Sequence, residues 1–280
     1  MRRRLLRACG VMTAGAALLL AGCSGGDGGA GGGKGAGTGD GKGAGEGGTS
    51  ASATATVSPT PRPTPTGVAT LDPSRAPKTA AEAERLALAV VAGPDSWGPD
   101  YVKRTPYLSA PGSWAVLDKD CTWEGGALPR SVLASVTAYS EIPATGGKGP
   151  LRVAATVTVH RTESDADWEL AETLEEALRC PDQRLRENER ISGLMSLGTP
   201  YGVNGNATTA DSVLERGDYL NDAFKGRQFY TWYQTRIGQV TLATVIKGAP
   251  GYTEAVTNSD QVRANVLMQD RIKVQWGAQS

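Results

Sequence analysis

The sequence predicts an α+β fold in which a single antiparallel sheet is packed by helices. Two closely spaced pairs of segments have the pattern of strands, with strict alternation of apolar and polar residues at 151–160 and β-forming residues at 132–142, and a helical pattern follows each pair. The chain is therefore expected to contain two strand-strand-helix units, and two cysteines, Cys121 and Cys180, provide for one disulfide. The four predicted strands are residues 132–142, 151–160, 227–236 and 239–247.

A helix and a loop precede the first unit. Thr79 and Glu82 have the spacing of a capping box, which predicts an Ala-rich helix that Gly93-Pro94 ends. Residues 97–123, which include several aromatic side chains, form a predicted loop. The helix of the unit itself is expected to begin at a capping Ser164 and to end before Pro181. Its apolar stripe is Leu170, Leu174, Ala177 and Leu178.

The second unit repeats this order of elements. Its helix is predicted at residues 259–270, and residues 272–276 alternate like a short final strand. Between the units, glycines interrupt residues 184–219, where only residues 212–219 predict a strand, at the edge of the sheet. The residues of the second helix expected to face inward are Val262, Val266 and Leu267.

Residues 1–22 have the pattern of a bacterial export signal, in which arginines precede an apolar stretch too short to span a bilayer. The stretch ends in Leu20-Ala21-Gly22-Cys23, which resembles the lipobox of bacterial lipoproteins. The resemblance implies cleavage before Cys23, a diacylglycerol thioether on its thiol, and acyl chains such as palmitate that hold the new N-terminus in the membrane. An ordinary cleaved signal is the alternative, and the arginines also fit a twin-arginine signal.

Residues 23–70 are expected to be a disordered tether that begins at the lipidated Cys23. Between residues 24 and 50, 15 of 27 residues are Gly, so this part has almost no apolar surface to bury against the entropy of ordering. Residues 51–66 are rich in Thr, Ser and Pro, which favours an extended polyproline conformation and is also typical of O-glycosylated stalks. The remaining residues, 71–280, have the length of a single extracytoplasmic globular domain.

The cysteines fit an oxidising compartment. Cys9 leaves with the signal and Cys23 takes lipid, so Cys121 and Cys180 are the two thiols of the folded part. Two such thiols outside the cell predict one disulfide, which would stabilise the domain by about 4 kcal/mol in the chain-entropy model. A metal or redox site is the alternative, which the wide spacing of the two cysteines and a single histidine disfavour.

Charge and motifs exclude several classes of function. The mature chain has 25 Lys and Arg against 29 Asp and Glu and lacks a basic stripe, so we expect no nucleic-acid partner. His160 is expected to be a solvated strand end, and no nucleophile motif accompanies it, so we predict no catalytic residue. The acids of residues 163–176 are expected to form a solvated helix face. We predict no metal site and no cofactor.

One aromatic cluster has the character of a binding site. On the strand at residues 227–236, Tyr230 and Trp232 share one face, while Phe229 and Tyr233 share the other. One pair is expected to be core, and the other contacts a ligand if helices cover only one side of the sheet. The sequence proposes Tyr230 and Trp232 as ligand-binding residues, and the alternative is that both pairs are covered by residues 184–219.

The lipobox, the Gly-rich and Thr/Pro-rich tether and the Ala- and Gly-rich composition resemble lipoproteins of high-GC Gram-positive bacteria. The order of elements, with Cys121 before the first hairpin and Cys180 after the middle helix, is similar to extracellular sensor domains of actinobacterial Ser/Thr kinases and related lipoproteins. These resemblances imply a lipid-anchored protein on the extracytoplasmic face of the cell membrane, with a non-catalytic binding or sensing domain for an unknown envelope ligand or protein. An envelope hydrolase and a passive scaffold for an envelope complex are the alternatives.

Overall fold

The computed structural model describes residues 70–279, which have the predicted α+β fold. The helices are α1 (Ala80–Val90), α2 (Pro94–Trp97), α3 (Glu163–Arg179) and α4 (Glu254–Trp276), and a 3-10 turn spans Pro73–Arg75. The strands are β1 (Thr70–Leu71), β2 (Val102–Leu108), β3 (Ser113–Leu117), β4 (Trp123–Ala127), β5 (Val132–Ile142), β6 (Leu151–His160), β7 (Gln183–Arg186), β8 (Glu189–Pro200), β9 (Asp211–Asn221), β10 (Gln228–Ile237), β11 (Val240–Lys247) and β12 (Ala278–Gln279).

Eight of these strands form one curled sheet in the order β2-β5-β6-β11-β10-β9-β8-β7, and every neighbouring pair is antiparallel. The predicted hairpins are confirmed as β5–β6 and β10–β11, each followed by a helix, α3 and α4. Strands β3 and β4 form a separate hairpin, and β1 pairs with β12. The two strand-strand-helix units therefore contribute adjacent hairpins to the middle of one sheet.

One face of the sheet, the apolar face, carries the main hydrophobic core. Helices α1 and α4 pack on β5, β6 and β11 there, and α2 packs on α4. The alternation in β6 and β11 directs every second side chain into this core, where all are almost fully buried. Representative members are Val153, Val157, Leu242 and Ile246 from the sheet, with Ala87, Met268 and Ile272 from the helices.

Helix α3 packs on the opposite face, called the α3 face below, against β6 and the strands from β11 to β8. A smaller cluster of Ala177, Ile191, Leu194, Tyr219 and Tyr230 lies beneath it. The N-cap of α3 is Thr162 and not the predicted Ser164. The Thr162 hydroxyl accepts a hydrogen bond from the Asp165 amide. The predicted stripe residue Leu178 is 84% exposed, because the sheet meets only the side of α3 that carries Ala166, Leu170 and Ala177.

Helix α4, the helix of the second strand-strand-helix unit, differs most from its prediction. It continues through residues 272–276, which we predicted to be a strand, because Ile272 and Trp276 are four residues apart and both face the core. Val262 and Val266 are exposed, contrary to prediction, and Leu267 is half-buried. The inward side carries polar residues as well as apolar ones, and the buried Gln261 bonds Thr231 and the Thr244 carbonyl. Apolar periodicity therefore misidentified the buried side.

Several strands were missed, among them β2, β3 and β8, where the sequence contains glycine, proline or aromatic residues. Strands β2 and β3 lie in the predicted loop at 97–123, and β2 forms the edge of the sheet despite Pro106. Strand β8 contains Gly193, which has a φ of +61° in a bulge between Ser192 and Met195. The strand predicted at 212–219 exists as β9 but lies inside the sheet, between β8 and β10, because β8 and β7 continue the sheet beyond it.

The predicted disulfide between Cys121 and Cys180 is confirmed. Cys121 follows β3 in the turn to β4, and Cys180 is the C-cap of α3. Around the bond, Arg179 donates to the Asp118 carbonyl and the Arg184 amide donates to the Cys121 carbonyl. The disulfide therefore fixes the β3–β4 hairpin to the end of α3 and the start of β7.

Candidate functional site

The predicted aromatic pair lies on the α3 face. Tyr230 is 7% exposed and packs in the cluster beneath α3, while Trp232 is half-buried beside it. Phe229 packs against the core on the opposite face, so both aromatic pairs have neighbours in the protein. Contact of the Tyr230 and Trp232 pair with a ligand would be made through Trp232, and this role stays a prediction.

Two carboxyl groups beside this pair are held in a poorly solvated place. Glu215 on β9 lies directly opposite Trp232 in the sheet register and is 6% exposed. Burial raises its pKa to about 8, with the charge of Glu176 on α3 contributing in the same direction. Burial likewise raises the pKa of Glu176 to about 7, with Glu172 contributing. At neutral pH the buried Glu215 carboxyl is therefore held largely in its uncharged form beneath the helix.

His160 also lies under α3, and the expectation of a solvated strand end is wrong. It is 2% exposed because α3 covers the end of β6. Its Nε2 is 2.7 Å from the Glu169 Oε2, which also accepts a hydrogen bond of 2.5 Å from the Thr241 hydroxyl. Glu169 is only 16% exposed at its side chain, so the acids of α3 do not all lie on the solvated face that the sequence predicted. This triad of side chains joins α3 to β6 and β11.

Beyond the end of α3, four cations gather around one buried carboxylate on the same face. We call Glu189, Arg152, Lys247, Arg186 and Arg104 the Glu189 cluster. The Lys247 Nζ lies 2.7 Å from Glu189 Oε2, and the Arg152 Nη1 lies 3.2 Å from Glu189 Oε1. Arg186 is opposite Glu189 in the β7–β8 hairpin. Arg104 lies over the ring of Tyr139, 5.4 Å from its centroid, on the neighbouring part of the sheet.

The curl of the sheet makes these contacts possible. Lys247 is three strands away from Glu189 and Arg152 is four, which in a flat sheet would be about 14 and 19 Å at roughly 4.8 Å per strand. The bulge at Gly193 bends β8, and the Asp182 carboxylate holds it by accepting from the Ser192 hydroxyl and the Gly193 amide. The bend brings Glu189 across the α3 face to the cations of β6 and β11.

The charges of the cluster act strongly on one another. Burial alone would raise the pKa of Glu189, but Lys247, Arg186 and Arg152 together lower it below its usual value. Burial lowers the pKa of Arg104, and the positive charges of Arg152 and Arg186 lower it further. Burial also lowers the pKa of Lys247, with Arg186 and Arg104 acting in the same direction and Glu189 opposing them. The cations are therefore close enough to repel one another, and Glu189 offsets only part of that repulsion.

Sequence reasoning missed the Glu189 cluster. Arg152 and Lys247 occupy outward positions of alternating strands, which by themselves are typical of a solvated sheet face. Arg186 and Glu189 lie in the segment that the sequence left unassigned. The missing information is the curl, since a local pattern does not show that strands so distant in the sheet face each other.

The remaining predicted sites have different outcomes. Cys121 and Cys180 are brought together, whereas Cys23 and its lipobox lie outside the described residues. In the part of the chain that the structure describes, no group of three or more His, Cys, Asp or Glu side chains could hold a metal ion. No helix between residues 70 and 279 is both long and apolar enough to cross a membrane.

A separate cleft opens between the start of α1 and the end of α4. Its volume is about 540 Å³, and it contains none of the residues proposed from the sequence as a binding site. Its charged lining residues are Arg75, Lys78, Glu82 and Arg85. Glu82 is already engaged there in the capping box of α1, which the structure confirms. No known family model matches the chain, and no curated protein matches its sequence.

Proposed function

We propose that the chain is a lipid-anchored bacterial lipoprotein that displays a non-catalytic binding or sensing domain, residues 71–280, outside the cell membrane. The observation that carries the proposal is the Cys121–Cys180 disulfide in the same chain as the lipobox-like Leu20-Ala21-Gly22-Cys23. Disulfides persist in oxidising, extracytoplasmic compartments and are rare in reducing ones. A lipid on Cys23 and a disulfide in the folded domain belong to the same compartment.

The low-complexity segment between Cys23 and residue 70 supports this arrangement. The composition of its glycine-rich part is typical of flexible linkers, and that of its Thr/Pro-rich part is typical of stiffer spacers. Such a segment lets a domain reach ligands or partners away from the bilayer to which the lipid is bound. The partners of the proposed protein are thus the membrane, through Cys23, and an envelope ligand or protein.

Binding is favoured over catalysis by how the polar groups of the α3 face are used. The chain has a single histidine, His160, whose Nε2 contacts Glu169 under α3. The Glu189 cluster, by contrast, presents several positively charged donors, which is the chemistry of ligand recognition.

One observation favours an envelope hydrolase as the second candidate. Carboxyl groups with raised pKa values, such as Glu176 and Glu215, are what general acid catalysis requires. Glu215, however, is buried beneath α3, where a polymeric substrate has no access. If the chain hydrolyses purified cell-wall material and Glu176→Gln abolishes this activity, the hydrolase would replace the binding domain as the proposed function.

The anchor is tested by changing the acyl acceptor. Cys23→Ala should leave the protein without lipid, so that it no longer partitions with membranes, because Cys23 is the proposed site of the thioether. Cys9→Ala is the matched control, since it removes a cysteine from the same signal and should leave lipidation unchanged. Membrane fractionation and mass spectrometry of the N-terminal peptide provide the readout, and an unmodified Cys23 in the exported wild-type protein would overturn the proposal.

A further inference from the structure

The Glu189 cluster carries more positive charge than its own carboxylates neutralise. Its four cations face Glu189, and Glu141 on β5, which is outside the cluster as defined, adds a second carboxylate near Arg104. Four positive and two negative groups leave a net charge of +2, although the mature chain as a whole is acidic. The strand register adds to the excess, because Arg152 lies directly opposite Lys247 on the neighbouring strand. Like charges directly opposite each other destabilise a sheet, and Glu189, which contacts both Arg152 and Lys247, supplies a single negative charge against the two.

Several donors of the cluster have no partner. Among residues 70–279, neither Arg104 nor Arg186 has a carboxylate oxygen within 4.0 Å. The Nε of Arg152 is buried, and no atom of residues 70–279 accepts a hydrogen bond from it. A buried donor without an acceptor is costly, which makes this atom the second sign of an absent acceptor.

We propose that the Glu189 cluster is a binding site for the phosphoryl group of a ligand. Planar guanidinium groups bind oxyanions through paired N–H donors, and an ammonium group adds a compact charge. Glu189 acts as a positioning residue that holds Arg152 and Lys247 towards the site, while Arg186 and Arg104 supply the open donors. The inference rests on the proposed function in one respect, that the domain binds ligands.

A purely structural ion pair explains the positions of fewer of these side chains than a binding site does. Glu189 with Lys247 alone would be a balanced buried pair, and Arg152 would complete its hydrogen bonds. Arg186, which is exposed, has open solvent available and yet lies opposite Glu189 beside the other cations. Tyr139, which is half-buried, lies under Arg104 beside the group and gives the non-phosphate part of a ligand a ring surface.

Calorimetric titration of the purified full chain tests the site, with inorganic phosphate as the first probe and sodium chloride of equal ionic strength as the blank. We expect saturable binding of phosphate and none of chloride. Arg186→Gln should weaken binding about tenfold, because it removes one charged donor from an exposed position without disturbing the core. Arg104→Gln should have a similar effect and serves as the second variant if Arg186→Gln reduces folding.

Arg190→Gln is the matched control. Arg190 belongs to the same β7–β8 hairpin but pairs with Asp222 and alternates to the opposite face from Glu189, so phosphate binding should not change. No saturable binding by the wild-type chain, or an equal loss in Arg190→Gln, would overturn the site. Far-UV circular dichroism of each variant checks the fold.

Two further titrants distinguish the source of the phosphoryl group. Binding of glycerol phosphate alone identifies a soluble phosphomonoester, and binding of a monomeric short-chain phosphatidylglycerol alone identifies a lipid headgroup. Either result supports the site, and failure of both together with inorganic phosphate overturns it. These outcomes are independent of the anchor, since an unmodified Cys23 with intact phosphate binding would refute only the lipoprotein, and a lipidated Cys23 without binding would refute only the site.

Discussion

The two faces of the eight-stranded sheet are packed by different chemistry, although the same strands supply both. On the apolar face, Val157, Leu242 and Ile246 are fully buried under α1 and α4. On the α3 face, the buried groups include His160, Glu215 and Gln234, each of which is polar. Adjacent residues of one strand therefore enter two very different environments.

The difference separates stability from recognition. Apolar burial contributes about 1.5–3 kcal/mol per large side chain and needs no particular orientation. A buried hydrogen bond contributes only about 0.5–1.5 kcal/mol net and requires a partner at a defined distance. The apolar face can thus hold the fold, while the α3 face fixes polar side chains in defined positions, as a binding surface requires.

Loss of the disulfide is expected to have the largest effect on this arrangement. Cys121→Ser should lower the free energy of unfolding by about 4 kcal/mol, because the bond closes a 59-residue separation in the unfolded chain. The bond attaches the β3–β4 hairpin to the end of α3, so the α3 face should lose protection first. Thermal melts and amide hydrogen exchange measure both effects, and mass spectrometry after alkylation counts the thiols.

Ser164→Ala provides a control on α3, since Ser164 is exposed and is not the N-cap. It should change the melting temperature little. Hydrogen exchange in Cys121→Ser that rose first in α1 would contradict the assignment of the disulfide to the α3 face.

Adjacent residues on β11 give the next largest contrast. Leu242→Ala should cost about 3 kcal/mol, since Leu242 is fully buried in the main core and its loss leaves a cavity. Thr241→Val keeps the shape but removes the hydrogen bond to Glu169, and should cost about 1 kcal/mol. Denaturant unfolding of both variants measures the two free energies, and a larger cost for Thr241→Val would invert the proposed roles of the faces.

The parts of the fold that are local in sequence could be predicted. Strands β5 and β6 coincide with their predicted ranges, because β5 is rich in β-forming residues and the strict alternation of β6 is visible residue by residue. The capping box at Thr79 and the pairing of Cys121 with Cys180 could be predicted for the same reason. In contrast, Gly193 lies in a bulge of β8, and a glycine inside a segment indicates the end of a strand when only the sequence is known.

The candidate site depends on distant parts of the chain and was not predicted. Tyr230 and Trp232 were correctly assigned to one face, but which helix covers that face is a tertiary property. His160 was expected in solvent because its neighbours are polar, whereas α3 packs on this polar face. The Glu189 cluster requires the curl of the sheet, which follows from a bulge and not from the pattern of any one strand.

The smallest expected effect is a pH dependence that belongs to the α3 face. Burial raises the folded-state pKa of Glu215 from its ordinary value near 4.5 to about 8, so between these limits the folded protein binds more protons than the unfolded chain. Stability therefore falls as pH rises through this window and levels off above about pH 8.

Glu215→Gln removes the titration, and its stability relative to wild type should increase by about 1 kcal/mol between pH 7 and pH 9. Tyr230 and Glu176 face the same carboxyl and are kept unchanged, while Glu84→Gln, an exposed position on α1, is the matched control. Urea unfolding at the two pH values measures the difference, and a difference equal to that of the control would mean that Glu215 is solvated and charged in the folded state.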